Sequence, residues 1–332
     1  MRASTLCRRL APLVSSVALS VLSCTALAQQ SAIDRVVIFG ASLSDTGNSF
    51  IWLSDPANQA CGVPLNVPPY DALDPLKVPD GPYAMGGHHF TNGATWAEGL
   101  ARTLALAGNA RPAFAGRGTQ ASNYAVGGAR AVAGYPCRFN LPAQVSTYLS
   151  DFPQTPASTL VAIEIGGNDV RDALVAAAGG QNPAPYIQNA LASLGNSVGT
   201  LYAHGARKFL LLNVPDLGKL PAVRQLGPAA VAGGNFLAGA YNANLALLSQ
   251  QLTQLLPGSD IRIVDIYAKL NQVVADPDAY GLVNATDACV TPNQPPFKCA
   301  QPDSYVFWDG IHPTKAVHEI VAELAVYALF AH

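Results

Sequence analysis

The stretch that decides the fold is residues 36–48, VVIFGASLSDTGN. It opens with four apolar residues, and the β-branched side chains among them favour a buried strand. Gly40 ends this run, and Ser42 follows at once among several side chains that form hydrogen bonds. Such residues are typical of turns and helix caps. The stretch therefore predicts a buried strand that leads into a polar turn.

Three further apolar runs have the same character, at residues 160–165, 209–214 and 261–266. Helical patterns separate or follow them, at residues 95–107, 186–204, 236–256 and 313–330. Strands without polar alternation that are separated by helices indicate a parallel sheet covered on both faces. We therefore expect one α/β domain over residues 29–332, a three-layer α/β/α sandwich with a mainly parallel central sheet. Pro-rich segments at about 55–92 and 276–303 are expected to be loop insertions near the site.

The first 28 residues have a different composition. Three arginines precede an apolar run, and Ala26-Leu27-Ala28 offers a small-x-small cleavage site, which is typical of a secretory signal. A membrane anchor is an alternative, but the run is shorter than the roughly 20 residues that a spanning helix needs. A lipoprotein signal ending at Cys24 is another, although leucine two residues earlier fits it poorly. We expect a secreted or periplasmic protein, cleaved after Ala28, without a membrane span in the mature chain.

Charge and cysteine usage agree with export. Cleavage after Ala28 removes three arginines and no acid, so the net charge falls from −2 to −5. A mildly acidic chain without a basic cluster is a poor nucleic-acid binder. Four cysteines remain, which allow three pairings. We expect Cys289 to pair with Cys299, because a disulfide there closes a short loop, and Cys61 to pair with Cys137. A zinc site is the alternative, but the spacing of these cysteines does not suit one.

Polar, glycine-rich segments follow the predicted strands, where open parallel sheets bind their ligands. Besides the opening stretch they are Gly127-Gly128 after the run SNYAV, residues 166–169 (GGND) and residues 308–313 (WDGIHP). In the last, Asp309 precedes His312 by three residues, close enough to orient its imidazole as a base for a serine nucleophile. Pro313 then predicts a helix start beside His312. Taken alone, this segment is explained better as a surface Asp-x-x-His with a helix cap.

All four blocks together resemble the GDSL, or SGNH, family of serine ester hydrolases, from residue 36 to residue 318. The resemblance implies a flavodoxin-like α/β/α fold. It makes Ser42 the nucleophile and His312 the base, which Asp309 orients. The backbone N–H of Ser42, the backbone N–H of Gly128 and the Asn168 amide would form the oxyanion hole.

One residue departs from the family pattern. Ala41 stands where the family usually has an aspartate that supports the nucleophile turn. We expect its loss to loosen the placement of Ser42. Asp45 and Asn48 are the residues predicted to supply the missing support.

Aromatic residues and histidines near these motifs complete the candidate site. Trp308 and Phe90 are predicted to bind substrate, the latter because HHFTNG resembles a segment of lipolytic family members near the groove. His88 and His89 are interpreted as solvent-exposed loop residues, because no carboxylate or cysteine stands at metal-ligand spacing. The chemistry requires no metal or organic cofactor.

Several functions remain open at this point. The leading hypothesis is a carboxylic ester hydrolase with a small-molecule or lipid ester as substrate and an acyl-enzyme on Ser42. A carbohydrate acetyl esterase and an acyltransferase are alternatives within the family. A binding protein on an inactivated hydrolase scaffold is an alternative of another class, motivated by Ala41. An α/β-hydrolase is disfavoured, because Gly-x-Ser-x-Gly is absent from the sequence.

Overall fold

Four parallel strands form the central sheet of the computed structural model, which describes residues 33–55, 89–116, 120–134, 138–290 and 296–331. The strands are β1 (Arg35–Gly40), β2 (Thr159–Glu164), β3 (Lys208–Leu212) and β4 (Asp260–Val264). Within the described ranges their order in the sheet is β1-β2-β3-β4. The strand β1 pairs with β2 so that Gly40 lies opposite Glu164.

Residues 122–126 extend this sheet beside β1. The Ile38 N–H donates to the Ser122 carbonyl at 3.0 Å, and the Tyr124 N–H donates back to the Ile38 carbonyl at 2.7 Å. The Val126 N–H then donates to the Gly40 carbonyl at 3.1 Å. The segment that carries Gly127 and Gly128 therefore reaches the same edge of the sheet as the end of β1.

Helices cover the sheet on both faces, as the continuous apolar strands predicted. The helices are α1 (Asn48–Ser54), α2 (Trp96–Thr103), α3 (Leu141–Asp151), α4 (Gly167–Ala178), α5 (Ala184–Ala203), α6 (Pro221–Gln225), α7 (Pro228–Leu255), α8 (Ile266–Ala275) and α9 (Lys315–Phe330). Val37 and Phe39 of β1 are buried among residues of α3, α4, α5 and α7. The alternate residues Val36 and Ile38, which point to the other face, are also fully buried, and α2 packs against α9.

The three-layer α/β/α fold predicted from the sequence is confirmed, with one change next to the site. The last helix begins at Lys315 after its N-cap residue Thr314, not at Pro313. Pro313 instead forms an antiparallel bridge with Phe307. The loop that carries His312 is therefore held by strand pairing before the helix begins.

The second Pro-rich insertion contains one strand of a small two-stranded sheet and the predicted Cys289–Cys299 disulfide. In this sheet, β5 (Asn284–Ala288) pairs in parallel with β6 (Tyr305–Phe307). The disulfide closes immediately after β5, with its Cα atoms 4.9 Å apart, and the Cys289 N–H donates to the Phe307 carbonyl at 3.1 Å. The covalent link thus adjoins the strand that leads into Asp309 and His312. The proposed Cys61–Cys137 pair, the signal segment and most of the first insertion lie outside the described residues.

Removal of the disulfide should destabilise the protein. Replacing Cys289 and Cys299 together by serine releases a loop whose closure restricts the unfolded chain, so we expect the free energy of unfolding to fall by about 3 kcal/mol. Urea unfolding of the double variant and the wild type measures the difference. Equal unfolding free energies would contradict this prediction.

Candidate active site

The side chains of Ser42, His312 and Asp309 form a continuous chain of hydrogen bonds. Ser42 Oγ lies 2.8 Å from His312 Nε2, and His312 Nδ1 lies 2.7 Å from Asp309 Oδ2. Asp309 is fully buried and His312 is 3% exposed. With the proton on Nδ1, His312 donates to the Asp309 carboxylate and offers Nε2 as the acceptor for the serine hydroxyl proton. This is the arrangement that a serine nucleophile with an oriented base would require.

The turn between β6 and α9 holds Asp309 and His312 in register. Asp309 Oδ1 accepts the backbone N–H groups of Ile311 and His312, each at 2.8 Å. The Trp308 N–H donates to the His312 carbonyl at 2.8 Å. These bonds satisfy the buried carboxylate from its own turn. A spacing of three residues therefore suffices to orient the imidazole.

Asp45 fixes the loop that carries Ser42. Its Oδ1 accepts the N–H groups of Gly47 and Asn48 at 2.8 and 2.7 Å. Its Oδ2 accepts those of Ser49 and Gly127 at 3.1 and 2.8 Å. Burial raises the pKa of Asp45 above its usual 3.8, while these donors counteract the rise. One carboxylate therefore joins the nucleophile loop to the Gly127-Gly128 loop.

Asn48 connects the same loop to the edge of the sheet. Its amide nitrogen donates to the carbonyls of Asn123 and Ala125 at 2.8 and 2.9 Å, and its Oδ1 accepts the Phe114 N–H at 3.1 Å. The side chain is fully buried. These contacts fit the support that the sequence predicted for Asp45 and Asn48, although the part each plays in placing Ser42 stays a prediction.

The three candidate oxyanion donors lie on neighbouring loops. The N–H of Gly127 is occupied by Asp45 and Ser49, whereas within the part of the chain that the structure describes the N–H of Gly128 donates to no acceptor. Gly128 has φ of +75°, and a Cβ there would approach Arg138 Nη1 to 3.2 Å, so glycine is required. Asn168 donates to the Ala129 carbonyl at 2.9 Å, which ties it to the loop of Gly128 and leaves its second amide hydrogen for a ligand.

Glu164 is a residue near Ser42 that the sequence reasoning missed. It ends β2, is 5% exposed and lies among the residues that line the cavity beside Ser42. Its Oε2 accepts the Ala41 N–H at 3.3 Å and the Ser44 hydroxyl at 3.1 Å. The available signal was an acidic residue inside the otherwise apolar run TLVAIEI.

A cavity of about 860 Å³ opens beside Ser42 and His312. Its walls come from α4, from α6 and the turn before it, and from the first turns of α7. Most of the lining is aliphatic, including Leu174, Leu217, Leu220, Val223 and Ala230. Asn168, Arg171 and Glu164 are polar residues that line it together with Ser42 and His312. The volume lies in the range of cavities that enclose small organic ligands.

Neither aromatic residue predicted to bind substrate is among the described residues that line this cavity. Trp308 is 3% exposed and packs with Cys289 and Val290 beside the disulfide. Phe90 is 5% exposed and lies against the His312 ring, with centroids 5.2 Å apart. Phe90 therefore contacts the His312 ring without lining the described cavity. A role for either aromatic residue in binding substrate stays a prediction.

His89 differs from its interpretation as an exposed loop residue. It is 8% exposed, and its Nε2 lies 3.1 Å from Glu98 Oε2. Glu98 belongs to the capping box of α2, which chain spacing alone does not place next to His89. Among the described residues no group of three acidic, histidine or cysteine side chains is arranged to hold a metal ion.

The model of the GDSL-like lipase/acylhydrolase family matches residues 36–325. The chain belongs to this family. The match covers β1 through most of α9 and includes Ser42, Gly128, Asn168, Asp309 and His312. The family is the one that the sequence motifs resembled. Within the described ranges, no helix combines the length and the apolar character that crossing a membrane requires.

Two relatives illustrate the extent of similarity. The chain is 27% identical over 312 residues to the thermolabile hemolysin of Vibrio parahaemolyticus, an alignment of 89% of this chain but only 63% of that protein. It is 29% identical over 340 residues to a GDSL esterase/lipase of Arabidopsis thaliana, which covers 90% of this chain and 86% of the relative. An acetylxylan esterase from Geobacillus stearothermophilus aligns over 90% of this chain and 94% of its own, with a TM-score of 0.45 and 14% identity.

Burial of Glu164 should make stability depend on pH. Burial raises its pKa from 4.5 to about 7, against the opposing donors Ala41 and Ser44. Below the unfolded value the carboxyl is neutral in both states. Between the two values only the unfolded chain ionises, so the unfolding free energy falls as pH rises, by about 3 kcal/mol in total.

The measurement compares denaturant unfolding of the wild type and Glu164→Gln from about pH 4 to pH 8. We expect the wild type to lose stability relative to the glutamine variant across this range, and the exposed control Glu323→Gln to follow the wild type. Asp169, whose pKa burial raises to about 6, titrates in all three proteins. Parallel curves for wild type and Glu164→Gln would refute the assignment.

Proposed function

We propose that this GDSL hydrolase cleaves carboxylic esters with an apolar acyl group through a covalent acyl-enzyme on Ser42. The observation that carries the proposal is the Ser42–His312–Asp309 chain of hydrogen bonds, of which Ser42 and His312 line an apolar cavity. An inactivated scaffold would have no need to keep all three groups within hydrogen-bonding distance. The same contacts support the catalytic roles assigned from the sequence.

In the first half-reaction, Ser42 Oγ attacks the ester carbonyl carbon while its proton passes to His312 Nε2. Asp309 stabilises the imidazolium and keeps its tautomer. Negative charge develops on the carbonyl oxygen, and the N–H groups of Ser42 and Gly128 with the Asn168 amide are placed to receive it. The C–O bond to the alcohol then breaks, and His312 returns the proton to the departing oxygen.

In the second half-reaction, water replaces the alcohol. His312 Nε2 takes a proton from the water as its oxygen attacks the acyl carbon, and the tetrahedral intermediate releases Ser42 Oγ, which regains the proton. The products are a carboxylic acid and the free enzyme. An alcohol in place of water would give acyl transfer by the same steps.

The cavity supports an acyl chain longer than acetyl as the preferred group. Each methylene of the acyl chain that the aliphatic walls remove from water stabilises the bound state, by about 0.8 kcal/mol when burial is complete. An acetyl group would leave most of the roughly 860 Å³ unused. The cavity therefore favours medium or long acyl chains over the acetyl groups of carbohydrates.

We also propose that the protein acts outside the cytosol. The signal-like composition of residues 1–28 supports export. The Cys289–Cys299 disulfide agrees with an oxidising compartment.

Replacing Ser42 by alanine should remove the nucleophile. We expect kcat on a p-nitrophenyl ester to fall by about 10⁴-fold to 10⁶-fold, with the unfolding free energy nearly unchanged. Labelling by a fluorophosphonate should also disappear. The exposed Ser150→Ala variant on α3 is the matched control and should keep wild-type activity. Full turnover by Ser42→Ala would exclude Ser42 from the mechanism.

Filling the cavity should change acyl-chain preference. In Ala230→Phe the new ring occupies the cavity wall on α7, so kcat/KM for p-nitrophenyl octanoate should fall by at least about tenfold and that for the acetate by less than about twofold. Ala243→Phe, on an exposed position of the same helix, is the control. An equal loss on both esters would argue against acyl binding in this cavity, and a preference of the wild type for acetylated sugars would favour the acetyl esterase alternative.

A further inference from the structure

Glu164 holds both ends of the turn that contains the nucleophile. The Ala41 N–H donates to Glu164 Oε2 at 3.3 Å and to the Glu164 carbonyl at 3.2 Å. The Ser44 hydroxyl donates to the same Oε2 at 3.1 Å. The residues between these two contacts are Ser42 and Leu43. A single carboxylate oxygen therefore accepts hydrogen bonds from Ala41, the residue before Ser42, and from Ser44, two positions after it.

The surroundings keep this arrangement in one geometry. The Ser44 N–H donates to the Ala41 carbonyl at 3.1 Å, which closes the turn. The Trp96 indole N–H donates to Ser44 Oγ at 3.0 Å, so the hydroxyl hydrogen is directed to Glu164. Ser44 is fully buried and Glu164 is 5% exposed. Water is therefore a poor substitute for the carboxylate at this place.

The identity of residue 41 is linked to this contact. Ala41 is 5% exposed and its own amide bonds the Glu164 carboxylate, so an aspartate side chain at this position would lie within a few ångströms of a second carboxylate. Two carboxylates that share a buried site cannot both ionise without a large cost. Alanine at position 41 avoids this conflict.

We propose that Glu164 is a positioning residue for Ser42, and that it supplies from β2 the support that the resembled family takes from an aspartate at position 41. Ala41 and Glu164 then form a matched pair. The inference rests on the proposed role of Ser42 as nucleophile. It adds that the support of the nucleophile turn has moved to the neighbouring strand.

Four variants test the pair: Glu164→Leu, Glu164→Gln, Ala41→Asp and the double variant Ala41→Asp/Glu164→Gln. Leucine removes the acceptor, so kcat on a p-nitrophenyl ester should fall by about tenfold or more while KM stays within about twofold. Glutamine keeps a carbonyl oxygen as acceptor, so Glu164→Gln should keep kcat within about threefold of the wild type. Glu323→Leu, at an exposed position of α9, is the control for the apolar substitution.

The aspartate variants test the exchange itself. Ala41→Asp alone should lower kcat by about tenfold or more, because it adds a second carboxylate beside Glu164. The double variant should recover to within about threefold of the wild type, because one carboxylate then remains. Wild-type kcat in Glu164→Leu, loss of kcat in Glu164→Gln equal to that in Glu164→Leu, or a double variant no better than Ala41→Asp would each overturn the inference.

Two further comparisons distinguish loss of folding, misplacement of Ser42 and absence of activity in the wild type. If Glu164→Leu lacks a cooperative unfolding transition, the comparison of Ala41→Asp with the double variant decides: recovery supports the pair and its absence overturns it. Fluorophosphonate labelling of Ser42 reports nucleophile placement apart from substrate binding and should fall with kcat. Absence of labelling and turnover in the wild type would instead refute the proposed function.

Discussion

The parallel pairing of β1 with β2 is the contact on which the site depends. It sets Gly40 opposite Glu164, so the turn that carries Ser42 and the GGND segment leave the sheet side by side. The approach is so close that a Cβ on Gly40 would overlap the Glu164 carbonyl oxygen. Because parallel strands end at one edge, Ser42 and Asn168 are brought together by the sheet itself. The loops then need to fix only the orientation of the Ser42 and Asn168 side chains.

Buried carboxylates supply that orientation. Loops beyond the strands lack ladder partners, and their backbone N–H groups need acceptors away from water. Asp45 receives N–H groups from two loops, Asp309 receives those of its own turn, and Asp169 accepts the Ala131 N–H at 3.0 Å. Each carboxylate thus exchanges hydration for hydrogen bonds from backbone N–H groups. The polar residues that looked like turn formers in the sequence are the internal connections of the site.

The sequence predicted the features that are local in the chain. Apolar runs with sharp polar ends located the four strands to within a few residues, and Asp309 and His312 are near neighbours in one turn. Features that depend on packing between distant segments were not predictable in the same way. The helix α4 (Gly167–Ala178) was not among the helical patterns found in the sequence. Trp308 and Phe90 stood beside polar motifs, yet their apolar surface is buried in the interior.

The disulfide next to β6 has a consequence for how the protein is produced. The Cys289 N–H donates to the carbonyl of Phe307, which lies two residues before Asp309. Oxidation of the Cys289–Cys299 thiol pair therefore forms a covalent link beside the segment that carries His312. A reducing bacterial cytosol would supply chains in which this anchor is open, and passage through an oxidising compartment would close it. Recombinant batches with the same sequence can therefore differ in how this segment is anchored, according to their thiol content.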